Sequence, residues 1–149
     1  MPMNLLATKN YYLHVNGWYL SNDHLGYVSM VTLGSHDRAS FKLVCNGEDA
    51  TVSVLLLRQK KFLHFNGACF VFSANKISSG RNEKFELYML PPAANEMHSR
   101  PGVMRARLRS LATEAFLHFA SPKESCRPAW ITKAKSEGAA SIIHFEPEC

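Results

Sequence analysis

The residues best placed to bind a partner lie in one short run. Arg105, Arg107 and Arg109 recur at every second position between Met104 and Ser110. That spacing is the period of a β-strand, so the three guanidiniums share one face while Met104, Ala106 and Leu108 share the other. A row of guanidiniums matches carboxylates and sulfates, which accept two parallel N–H donors from each fork. The row therefore reads as a docking face for an acidic receptor or a sulfated glycan, or simply as a solvated strand face. Nucleic acid fits poorly, because the basic residues are not interleaved with exposed aromatics as in a stacking platform. Further polar candidates sit at turns: Asn22, Asp23 and His24; Asn46, Glu48 and Asp49; and Lys133 and Lys135.

Catalytic patterns do not emerge. The seven histidines form no HExxH, and no GxSxG, P-loop or GxGxxG is present. His64, His118 and His144 each lie inside an apolar run, which suits an outward strand face or a hydrogen-bonded core position better than metal ligation. Cys45, Cys69, Cys126 and Cys149 are far apart and form no CxxC pair, so they read as small buried hydrophobes, with a disulfide as the alternative that geometry must decide. The expectation is a binding protein that uses no cofactor.

The elements that must hold these residues are short strands. At 149 residues and 46% hydrophobic, the chain can build one domain with a real core, spanning 1–149. The net charge of +5 is spread as +2 over residues 1–75 and +3 over 76–149, so neither half is a polybasic arm. No apolar run approaches the ~18 residues of a membrane span, and Met1 to Ala7 has no signal-peptide pattern.

Asn16-Gly17, between Tyr11–Val15 and Trp18–Ser21, is a hairpin signal, since a type I′ turn needs positive φ at both central residues. Pro91-Pro92 ends the run Lys84–Leu90. Twelve strands follow from this pattern, with an aromatic-Leu-polar word recurring around Leu20, Leu63 and Leu117. A second apolar strand follows each copy, starting at Phe41, Phe85 and Ile143. Three such units predict an all-β fold, the β-trefoil: six strands closing a barrel and six forming hairpins that cap it. A β-sandwich is the alternative.

Several stretches resemble the interleukin-1 cytokine family. Tyr12–Val15 followed by Trp18–Leu25 resembles its opening hairpin, and Glu83–Tyr88 its charged-Phe-x-Leu-Tyr strand. Leu108-Arg109-Ser110-Leu111 with Phe116-Leu117 resembles the family signature, departing from it at Leu108, at Thr113-Glu114 and at His118-Phe119. Ile142–Glu148 resembles its closing strand. The resemblance implies a monomeric signalling ligand in immune and inflammatory responses, binding an immunoglobulin-domain receptor. It implies release from the cytoplasm without a signal peptide. Fibroblast growth factors share the expected fold, and Glu124-Ser125-Cys126-Arg127 resembles a segment of theirs, which keeps a glycan-binding trefoil open, heparan sulfate included. A trefoil protease inhibitor acting through one loop is a third reading.

A sulfated-glycan role for the arginine row has a direct test. Retention on heparin should then be lost when Arg105, Arg107 and Arg109 are replaced by Ser, and unchanged elution would remove that role.

Overall fold

The computed structural model describes residues 9–22, 27–34, 36–47, 49–65, 80–91, 102–120 and 131–148, with the backbone alone of 73–76 and 127–128. Thirteen strands occur among the described residues: β1 Asn10–Val15, β2 Trp18–Asn22, β3 Val28–Thr32, β4 Phe41–Asn46, β5 Thr51–Leu56, β6 Lys61–His64, β7 Ser73–Lys76, β8 Phe85–Leu90, β9 Met104–Ser110, β10 Leu117–Phe119, β11 Arg127–Pro128, β12 Ile131–Lys133 and β13 Ile143–Pro147. The helical content described is two single 3-10 turns, Arg81–Glu83 and Glu137–Ala139.

Six strands close a ring. Antiparallel pairing runs β1 to β4, β4 to β5, β5 to β8, β8 to β9, β9 to β13, and β13 back to β1. Three two-stranded hairpins stand beside it, β2 with β3, β6 with β7, and β10 with β12. This is the β-trefoil expected from the repeats. The register is threefold as well. Within units, Tyr11 pairs with Phe41, Val52 with Phe85, and Ala106 with Ile143. Between units, Phe41 pairs with Leu56 and Phe85 with Ser110, while His14 opposite His144 sets Ile143 beside Val15.

The repeated apolar word is what fills the ring. Leu20, Leu63 and Leu117 are buried, as are Phe41, Phe85 and Ile143. Burying each such side chain contributes about 1.5–3 kcal/mol, offset largely by the entropy of ordering the chain. Asn16 and Gly17 both have positive φ, 53° and 85°, as the hairpin signal requires. Units two and three turn differently at this point. Lys60 N–H donates to Leu56 O (2.8 Å) and Glu114 N–H to Ser110 O (2.9 Å). Both donors sit in the left-handed region, at φ 56° and 55°, without glycine's freedom.

Some boundaries differ from the sequence reading. The strand expected over Cys69–Phe72 lies outside the described residues, and the partner of β6 is Ser73–Lys76, whose sequence has no apolar alternation. A register shift between Phe62 and Leu63 accommodates it. The loop expected over Pro122–Pro128 contributes β11, which pairs with the free edge of β3. Proline is tolerated there because an edge strand can forgo a donor. The turn of helix expected near Ala93–Met97, and Trp130, Cys69, Cys126 and Cys149, lie outside the described residues. Cys45 is half-buried and packed against the core.

Replacing any of Leu20, Leu63 or Leu117 by Ala should destabilise the fold by about 2–5 kcal/mol in urea melts. Threefold packing predicts three costs of similar size, and a negligible cost at one position would break the equivalence.

Candidate functional site

The ladders between units set out three comparable strips on the outside of the barrel. In the first, Lys42 faces Leu55; in the second, Glu86 faces Arg109 and Tyr88 faces Arg107; in the third, His144 faces His14 and Glu146 faces Tyr12. The same backbone site thus carries an ion pair in one strip and two stacked imidazoles in another. Arg109 Nη1 donates to Glu86 Oε1 at 2.6 Å, and the His14 and His144 rings lie 4.5 Å apart, 8° from parallel.

The arginine row has the predicted geometry, since Arg105, Arg107 and Arg109 are half-buried on one face of β9 and Ala106 and Leu108 are buried on the other. Two of the three guanidiniums serve the barrel itself. Arg109 holds Glu86, and Arg105 Nη1 donates to Pro91 O at 2.8 Å. The polar side chains of the predicted loop after β4 are also engaged within the protein. Asn46 Nδ2 donates to Thr51 Oγ1 and Ser53 Oγ, each at 3.1 Å. Asp49 accepts from Thr51 Oγ1 (2.6 Å), from Thr51 N–H (3.2 Å) and from Lys84 Nζ (3.2 Å). The Thr51 hydroxyl first, then Lys84, lowers the Asp49 pKa below the ordinary carboxylate value. Lys133 and Lys135 are exposed on and just after β12. Asp23, His24 and Glu48 lie outside the described residues. Among the described members of the predicted set, Asn22 lines a substantial cavity.

That cavity, about 770 Å³, lies in unit one. Its walls are the ends of β2 and β3, with Ser21, Asn22, Ser29 and Val31. The β3–β4 loop adds His36, Asp37, Arg38 and Ser40. Asn10 of β1, Arg58 of the β5–β6 turn and Glu148 beyond β13 complete it, so all three units reach the site. Backbone bonds hold these pieces together: Ala39 N–H to Leu20 O (3.0 Å), Leu57 N–H to Ser40 O (3.1 Å) and Glu148 N–H to Asn10 O (2.9 Å). Ser21 Oγ donates to Asp37 O, tying the loop to β2.

Two charged groups are held in place by neighbours. The Arg38 guanidinium carbon sits 3.9 Å above the centre of the Tyr12 ring and 5.0 Å from that of Tyr19, a cation–π arrangement. Glu148 Oε1 accepts from Tyr12 OH (3.2 Å) and Ser40 Oγ (3.0 Å). Behind them Tyr19 OH donates to the buried Glu146. Desolvation and then this bond raise the Tyr19 pKa, with Arg38 pulling the other way.

The register shows what stands at the equivalent place in unit two. Ser21 corresponds to His64 and Ala39 to Glu83, by their spacing from Leu20, Leu63, Phe41 and Phe85. There His64 Nδ1 bonds Glu83, and the other carboxylate oxygen of Glu83 accepts from Gly80 N–H at 2.9 Å. Asn46 and Asp49, the counterparts of the Glu148 end, are likewise bonded within the protein. Unit two spends its polar side chains on itself, while unit one puts small residues at the same positions and leaves space.

Most of the site was missed in the sequence. His36 and Asp37 read as part of a loop over 34–37, Arg58 as one of a charged turn over 58–61, and Arg38 was given no role. The available signal was a dense His-Asp-Arg run two residues before the buried Phe41.

No known family profile matches the sequence, and no curated protein does. Similarity appears among solved structures. SeviL bound to asialo-GM1 saccharide superposes with TM-score 0.62 at 16% identity, over 93% of this chain and 97% of that one. The SDF2-like protein of Arabidopsis thaliana gives 0.68 at 11%, over 94% and 93%. The GlcNAcα1-4Gal-releasing endo-β-galactosidase of Clostridium perfringens gives 0.68 at 12%, over 95% of this chain but 33% of that one, so the chain spans about a third of that enzyme. Identities this low establish the shared fold, the β-trefoil.

The depressed Asp49 pKa has a stability consequence. Its contribution is complete above the ordinary carboxylate value and is lost as pH falls through the lower folded value. Asp49→Asn should therefore flatten part of the loss of stability as pH falls below the ordinary carboxylate range in thermal melts. An acid limb identical to wild type would show that the Asp49 contacts do not persist in solution.

Proposed function

We propose that the protein is a carbohydrate-binding β-trefoil and that the unit-one cavity is its binding site. The observation that carries this reading is the lining: amides, guanidiniums and carboxylates converge on one cavity held by a rigid barrel. Its volume falls inside the range of about 300–1,000 Å³ typical of small-ligand sites. Sugar hydroxyls both donate and accept, so a wall mixing pure donors with pure acceptors suits them. SeviL, which shares the fold over nearly the whole of both chains, is described with a bound saccharide, which supports the choice of ligand. The activity is binding without turnover, and the partner is a glycan at a cell surface or on a secreted protein.

The interleukin-1 reading rests on the sequence stretches quoted above. None of the three structures described is a cytokine, so it stands second. It calls for an immunoglobulin-domain receptor, and would be favoured if a receptor ectodomain bound the protein equally well with the cavity altered.

Calorimetric titration with a panel of mono- and disaccharides tests the first reading. Asn22→Ala and Arg58→Ala should each weaken binding about tenfold, near 1.4 kcal/mol, with the thermal midpoint little changed. Binding unaffected by both substitutions would move the site elsewhere.

A further inference from the structure

We infer that the cavity takes an uncharged saccharide terminus and discriminates against sulfated and sialylated ones. The inference rests on the carbohydrate reading and names the ligand class of the same site.

Charge balance is the first argument. The lining carries two guanidiniums, Arg38 and Arg58, and two carboxylates, Asp37 and Glu148. The formal sum of these four is zero. An acidic group entering this wall meets as much repulsion as attraction. Contacts of opposite sign at comparable distances are comparable in size, so they largely cancel.

Hydrogen-bond stoichiometry is the second. A carboxylate or sulfate oxygen on the ligand can only accept. Facing Asp37 or Glu148, it sets an acceptor against an acceptor, and no hydrogen bond forms between them. A neutral sugar offers neighbouring hydroxyls, each able to donate to a carboxylate and accept from an amide or guanidinium. Glu148 is already oriented by Tyr12 and Ser40, and Arg38 by the Tyr12 ring, so both face a ligand preorganised.

The third argument lies outside the cavity. A sulfated polymer needs a continuous track of available cations, and the barrel engages several of its own. Arg109 is bound to Glu86, Lys84 to Asp49, and Arg105 to the Pro91 carbonyl. The net charge of +5 is thus dispersed.

The experiment compares one glycan core in three forms, neutral, sialylated and sulfated, by calorimetry at about 50 and 500 mM NaCl, together with a heparin column. The neutral form should bind at least tenfold tighter than either acidic form. Its affinity should change less than about twofold between the two salts, since screening removes contributions that already cancel. The protein should pass through heparin at physiological salt. Tighter binding of an acidic form, or a steep fall in affinity with salt, would overturn the inference and leave the carbohydrate reading standing. Binding of none of the three, nor of the wider saccharide panel, would overturn both. Asp37→Asn adds an internal control: removing one carboxylate leaves the wall at +1 and should narrow the preference for the neutral form severalfold. An unchanged preference would show that the carboxylate does not set it.

Discussion

Closure of the six-stranded ring is the constraint on which the rest depends. A β-strand left at an edge exposes a row of unpaired donors and acceptors that invites aggregation, and joining β13 to β1 removes that row from the barrel. Closure also fixes register. In a ring, a slip of one residue at any ladder turns an entire apolar face outward, and every other ladder must shift with it. The buried pairs Phe41 with Leu56, Leu43 with Val54 and Leu13 with Phe145 hold that register from inside. Only a frame this firm can carry a cavity wall assembled from Asn10, Arg58 and Glu148, three residues distant in sequence.

Threefold symmetry is kept inside the barrel and given up outside it. The interior tolerates little variation because its volume must be filled at crystalline density, and so Leu20, Leu63 and Leu117 are identical. The outer face is freed from packing and carries a stacked histidine pair, an Arg109–Glu86 ion pair and a Lys42–Leu55 contact at equivalent sites. The cavity has the same origin. Where unit two places His64 against Glu83, unit one has Ser21 and Ala39. Two small side chains at equivalent positions are enough to turn a closed contact into space.

Legibility in the sequence followed the same division. The barrel could be read because period-two alternation, the Asn16-Gly17 turn and the three leucines are local signals with a direct physical cause. β7 could not, since Ser73-Ala74-Asn75-Lys76 is recruited to pair with β6 against its own weak strand preference. The arginine row was placed on the correct face. What the sequence could not tell was that Glu86 and Pro91 O would engage two of its members across β8 and β9. The cavity residues were harder still, because they come together only through closure. Asp37 and Glu148 are 111 positions apart, and no spacing rule links them.

One consequence follows from how β13 is used. It completes the ring by pairing with β1 and β9, and the residue that follows its last one is Glu148, a wall of the cavity. Contacts of such long sequence separation form late, because the loop entropy must be met before they repay it. A nascent chain halted before β13 therefore has an open barrel and an unfinished wall. The cavity wall is complete only once β13 has paired with both of its neighbours.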